Sequence, residues 1–235
     1  MAGLIGKNIR VGSGGWVQYL HEPYDEIPLK SYSREFNFVE VNSTFYEIIQ
    51  PSTLEKWRKS VPPDFEFSIK CYNGLTHYVG LRPIEDAFRV FAMMQNYCEI
   101  LNGKILVMQM PPSLKLNQKF VSQARDFFNS TSIGKIRIAI ELRVKPDKLP
   151  ALVIALMRDL NMAHIVDLTF EDPMIQTDLL YTRIFGQPEK RYSLDDKDLR
   201  VLKKKVEKSR SKTVRVVGHS LKIIEDTRRI KEVLA

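Results

Sequence analysis

Eight short β-rich runs, most of them followed by a stretch of helical periodicity, constrain this chain more than any other feature. The runs are Ile9 to Ser13, Phe38 to Val41, Phe65 to Lys70, Ile105 to Gln109, Ile136 to Glu141, Ala163 to Asp167, Tyr181 to Ile184 and Val214 to Val217. Each is rich in β-branched or aromatic residues and bounded by Gly, Pro, Asn or charge. Helical spacing of apolar residues is predicted over 85–99 (Phe88, Phe91, Ala92 and Met94 or Gln95), 117–128 (Phe120, Val121, Ala124 and Phe127), 147–160 (Leu149, Leu152, Val153, Leu156 and Leu160), 195–209 (Leu199, Leu202 and Val206) and 220–234 (Leu221, Ile224, Ile230 and Val233). Ser52 with Glu55 reads as a capping box after the second run. Strands alternating with helices require parallel pairing and right-handed crossovers. A doubly wound open sheet competes with a closed barrel. Eight strands in 235 residues favour a single (β/α)8 TIM barrel, which typically needs about 250, so residues 1–235 are read as one domain. GSGG after the first run matches neither GxGxxG nor a phosphate loop. Residues 168–179 are too short and acidic for a helix, so an irregular connection is expected between strands six and seven.

Composition excludes several classes. No apolar run approaches the roughly 20 residues of a membrane span. MAGLIGKNIR carries no signal region, so a cytoplasmic location is expected. Cys71 and Cys98 lack zinc-site or disulfide spacing. The net charge of +8 is uneven: residues 187–235 hold 15 Lys+Arg against 8 Asp+Glu. That basic segment, with Lys203, Lys204, Lys205, Lys208, Arg210, Lys212 and Arg215, reads either as a solvated face or as a nucleic-acid surface.

Strand side chains alternate between two faces. In one set, the strand ends turn polar: Glu40 and Asn42, Ser68 and Lys70, Gln109, Glu141 and Arg143, Asp167, Arg183. Burying such groups unpaired costs several kcal/mol, so they face water, pair, or bind something. The C-terminal end of the strands is where barrels of this kind carry their sites. Glu40, Lys70, Glu141 and Asp167 are the candidate catalytic residues: the carboxylates as acid/base groups, and Lys70 either protonated and holding an anion beside them or, in an apolar pocket, a base or Schiff-base former. Trp16, Asn42, Thr44, Tyr46, Tyr72, His77, Gln109, Arg143 and Arg183 are the candidate substrate-binding residues. His219 follows strand eight at the same end. His164 alternates away from Asp167 and is expected against a helix, and His21 in an exposed loop. No multi-histidine zinc spacing occurs and no metal ligands are assigned; a carboxylate-held divalent ion stays open, with no residue pattern that supports it.

Several blocks resemble a known family: GSGGW at 12–16, VEVNSTFYE at 39–47, FEFSIK at 65–70, Thr76-His77, ILVMQMPPS at 105–113, AIELR at 139–143 and YTRIFG at 181–186. The chain is similar to the YecE-like proteins, domain-of-unknown-function family 72. The resemblance implies a TIM barrel in the cytoplasm and names no activity. It departs in three places. Val144 and Lys145 stand where the family has His and later Trp, Phe185 where it has His, and Val217-Gly218-His219 where it has paired Asn.

Three functions fit these residues. One is an enzyme doing hydrolytic or isomerising acid/base chemistry on a small polar or anionic molecule. The second is a nucleic-acid-binding protein or nuclease, and the third a non-catalytic ligand-binding scaffold. Cofactor and oligomeric state are not legible.

Overall fold

The computed structural model describes residues 3–18, 25–26, 28–187 and 192–235; His21 lies outside them. Eight parallel strands form one sheet: β1 Asn8–Gly14, β2 Phe38–Val41, β3 Glu66–Lys70, β4 Ile105–Gln109, β5 Arg137–Glu141, β6 Ala163–Ile165, β7 Leu179–Ile184 and β8 Thr213–Gly218. The sheet order runs β6-β5-β4-β3-β2-β1-β8-β7, so β1 joins β8 in register (Gly12 opposite Val217) and the ring nearly closes. The seam lies between β6 and β7, which share a single bridge, Val166 opposite Thr182. Thr182 reinforces it: its hydroxyl donates to the Val166 carbonyl at 2.7 Å and accepts from Leu168 N–H at 3.3 Å.

The helices are α1 Leu29–Glu35, α2 Ser43–Tyr46, α3 Pro51–Ser60, α4 Glu85–Leu101, α5 Gln118–Asn129, α6 Ala151–Asp159, α7 Asp196–Lys208 and α8 Ile223–Leu234. They pack on the outer face of the ring and bury the outward strand residues. The α4 stripe is Ala87, Phe91, Met94, Tyr97, Cys98 and Leu101, with Ala92 turned to solvent. Phe127 of α5 stacks on Phe88 at 5.3 Å and meets Phe91 edge-on at 5.4 Å. Leu221 precedes α8 and is 57% exposed rather than core. Ser52 is not a cap: α3 starts at Pro51 behind Gln50. Proline suits a first helical position because its fixed φ is already helical and its missing N–H has no partner to lose. Among the described residues no helix is long and apolar enough to cross a membrane.

As expected, no helix joins β6 to β7. Residues 166–178 run irregularly, and β6 ends at Ile165, short of the expected Asp167. His164 points outward there. It packs against this connection rather than a helix, its Nδ1 accepting the Met174 N–H at 3.1 Å.

The inward side chains form three layers. At the strand starts, Arg215 of β8 holds Glu66 of β3 through two bonds of 2.6 and 2.7 Å, and Arg10 adds a third contact at 3.3 Å. Arg215 is therefore a buried plug, not part of a basic surface. Phe38, Val107, Ile165, Tyr181 and Val217 fill the middle. Gly12 makes room for them, since a Cβ there would lie 2.0 Å from the Phe38 carbonyl oxygen. The third layer, at the strand ends, is charged.

Candidate functional site

The ends of β2, β3, β5 and β7 deliver Glu40, Lys70, Glu141 and Arg183 to one place. All four are buried, at 0, 4, 7 and 2% exposure. Arg183 stands between the two carboxylates. One Nη contacts Glu40 Oε1 at 3.1 Å and the other bonds Glu141 Oε2. Burial alone pushes the Glu40 carboxyl up, but Arg183 and His219 outweigh it and bring it down to about 2. Glu141 is likewise lowered against the pull of burial, by Arg183 and Arg143. Burial disfavours the charge on Arg183, and its two carboxylates more than restore it. The three groups form a locked ionic bridge. Gln109 donates to Glu141 Oε1 at 3.1 Å, and Arg143, half-exposed at the rim, reaches the same oxygen at 3.1 Å.

Three further inward residues complete the network. Ser68 donates to the Tyr181 hydroxyl at 2.7 Å, and Tyr181 donates to Glu40 Oε2 at 2.8 Å. His219 places Nε2 3.0 Å from both Arg183 Nε and Glu40 Oε1. That nitrogen serves one contact at a time. It accepts from Arg183 when it holds a lone pair and donates to Glu40 when it holds the proton. Burial, then Arg183, lowers His219 to about 4, so the ring is neutral at pH 7. Gly14 permits this placement, because a Cβ there would fall 2.0 Å from His219 Cε1. Tyr181 was missed by reading only strand ends, and Ser68, placed in the polar inward set, was given no site role. For Tyr181 the available signal was its shared parity with Arg183.

Lys70 differs from its neighbours. Its Nζ lies 4.0 Å above the Phe45 ring and 5.7 Å from Tyr46. Among the described residues, no carboxylate oxygen comes within ion-pair distance of it. Burial, followed by the nearby Arg183 charge, lowers it to about 8. His77 sits in a π-helical turn, Gly74–Val79, edge-on to Phe45 at 5.1 Å, and is lowered by burial and by Lys70. Such turns often mark functional positions. Tyr46 is 69% exposed beside them. Asn42 Oδ1 is buried without a hydrogen-bond partner among the described residues.

Other candidates have structural duties. Thr44 donates its hydroxyl to the carbonyls of Val41 and Lys70, tying β2 to β3. Trp16 packs edge-on against Trp57 of α3 at 5.1 Å, and Tyr72 lies over Gly74. Asp167 borders a hollow of about 300 Å³ at the ends of β5 to β7, shared with Glu141, Arg143 and Arg183. Its carboxylate is occupied, however. Oδ1 accepts from Thr169 N–H and hydroxyl, and Oδ2 from the N–H groups of Phe185 and Gly186 at 2.8 and 3.0 Å. Asp167 thus clasps the seam. Asp167→Asn would aim an NH2 at backbone donors, an unmet pairing that costs about 1–3 kcal/mol. The expected result is faster amide exchange at Phe185 and Gly186, with exchange in β3 unchanged.

Among the described residues no group of three or more His, Cys, Asp and Glu side chains is placed to hold a metal ion. The gap between Glu40 and Glu141 is filled by a guanidinium.

The family profile described as "Protein of unknown function DUF72" matches residues 13–233. The chain belongs to the DUF72 family. This DUF72 protein is 30% identical to UPF0759 protein YunF of Bacillus subtilis over 146 residues, 57% of this chain and 50% of that one. It is 35% identical to UPF0759 protein YecE of Escherichia coli K12 over 63 residues, 27% of this chain and 23% of the relative. The chain thus spans about half or less of the curated relatives it matches. The crystal structure of the DUF72 family protein EF0366 from Enterococcus faecalis superposes with a TM-score of 0.73 at 19% identity, over 97% of this chain and 98% of that one. More distant barrels share the fold. A xylose isomerase domain protein from Planctomyces limnophilus has a TM-score of 0.55 at 9% identity over 97% of each chain. A family 2 AP endonuclease from Brucella melitensis has 0.51 at 13%, over 88% of this chain and 92% of that one. In this DUF72 protein, Phe185 and His219 stack on each other 4.9 Å apart, so two of the departing positions form one contact.

Proposed function

We propose that this DUF72 protein is an enzyme that moves protons on a small, oxygen-rich, anionic substrate at the barrel mouth. The observation that carries the reading is Lys70: a buried amine at the site, lowered to about 8, with no carboxylate partner among the described residues. A base works best when its pKa lies near the working pH. Lys70 is the base in this reading. The Arg183 bridge positions the mouth, since its nitrogens already serve Glu40, Glu141 and His219. Arg143, half-exposed, takes the substrate's negative charge, and Tyr46 with Phe45 gives its ring or chain a face. We take the isomerising form, because a single amine base with no carboxylate beside it among the described residues suits proton transfer next to a carbonyl.

The test is a panel of hydroxy-carbonyl compounds and their phosphate esters, incubated with the protein in D2O and followed by NMR. The expected result is solvent deuterium entering a carbon next to a carbonyl of at least one anionic member. A panel in which nothing exchanges or converts would sink the proposal.

The cations Lys208, Arg210 and Lys212 are exposed and make no ion pair among the described residues. They flank the starts of β7 and β8, opposite the mouth. They support a separate reading as a phosphate-backbone surface, for which DNA or RNA binding must weaken steeply with salt.

A further inference from the structure

The missing helix between β6 and β7 leaves a second hollow behind the seam, of about 230 Å³. Its walls include Leu168, Ile175 and Leu180, which are buried and apolar, and Lys208 stands at its edge. His164 also lines it and is only 3% exposed. Its Nδ1 accepts the Met174 N–H, so that nitrogen carries no proton and the ring is the neutral Nε2–H form. Among the described residues Nε2 meets no hydrogen-bond partner. The Nε2–H is open to the space beside the ring rather than sealed in the core, so an acceptor that enters the hollow can reach it. The ring also borders the mouth hollow and so stands between the two. Lys205, the other cation of the wall, is already held by Asp172 at 3.1 Å and by the Glu171 carbonyl. Lys208 has no such partner among the described residues.

We propose that this hollow is a second ligand site, taking a small aliphatic oxo acid. Its carbonyl oxygen accepts from His164 Nε2–H, its branched chain packs on Leu168, Ile175 and Leu180, and its carboxylate sits at the rim by Lys208. A volume of 230 Å³ admits only a small ligand, and burying its chain supplies the apolar share of binding. The site is separate from the Lys70 mouth.

The probes are 4-methyl-2-oxopentanoate, 4-methylpentanoate and 4-methylpentan-1-ol, titrated into the full chain by calorimetry, with the 15N imidazole resonances recorded in parallel. The oxo acid is expected to bind and to shift the His164 Nε2 resonance. The acid lacking the carbonyl binds at least tenfold more weakly, and the alcohol weaker still. Lys208→Glu, at an exposed position, lowers oxo-acid affinity at least fivefold, and His164→Phe abolishes binding. Lys70→Met leaves it unchanged. No binding of the oxo acid, or binding without movement of the His164 resonance, overturns the proposal. So does binding lost in Lys70→Met, which places the probe at the mouth. Because these readouts ignore turnover, they stand or fall independently of the reaction proposed for Lys70.

Discussion

Replacing Arg183 with methionine is expected to lower the unfolding free energy by about 3–5 kcal/mol at pH 7, the cost of removing one partner from a buried ionic group. Glu40 and Glu141 would remain in the barrel with their main counter-charge gone. The loss depends on pH with a definite sign. In the native protein Glu40 is lowered from 4.5 to about 2, so its contribution is present above pH 4.5 and is lost as pH falls toward 2. Without Arg183, burial dominates and raises both carboxyls. The penalty of the variant is then greatest above the ordinary carboxylate range and shrinks as acid protonates them. Urea unfolding at pH 7 and pH 4.5 measures this, and an equal loss at both values would contradict it. Adding Glu40→Gln and Glu141→Gln to Arg183→Met recovers part of the stability, because neutral amides do not need the missing charge.

Lys70→Met separates chemistry from stability. If Lys70 is the base, the variant loses about 10²–10⁴-fold in turnover of any substrate found in the deuterium screen. Wild-type rate rises with pH through about 8 as the amine loses its proton, and the variant shows no such rise. Stability moves the other way. Burial disfavours the charged amine, so the folded pKa lies below the ordinary 10.5 and the native state carries a penalty below pH about 8. Methionine removes that penalty, and the variant is at least as stable as wild type at neutral pH. A variant that unfolds more easily and keeps its turnover would refute both parts.

The strands were legible because a parallel barrel strand is a short local pattern. β2 and β4 stand where alternation and flanking residues put them, and β1, β3, β5, β7 and β8 differ by at most two residues at either end. β6 was overdrawn, since Asp167 leaves the ladder to bind the backbone at Phe185 and Gly186. The π-helical turn at Gly74–Val79 left no periodic signal in six residues. Arg215 looked like one more surface cation in a basic segment. Only the pairing of β8 with β1 and the closure of the ring carry it to Glu66.

The sequence by itself determined which side chains enter the barrel, because alternation along a strand is set by the pleat and needs no partner. Glu40, Ser68, Lys70, Glu141, Tyr181 and Arg183 share that inward parity. Only the tertiary structure decided how they divide the work. Ring closure put one guanidinium between two carboxylates from other strands and left the Lys70 amine over an aromatic ring with no acid beside it. Those assignments turn on distances of a few ångströms across the ring, where Coulomb energies and hydrogen bonds change steeply.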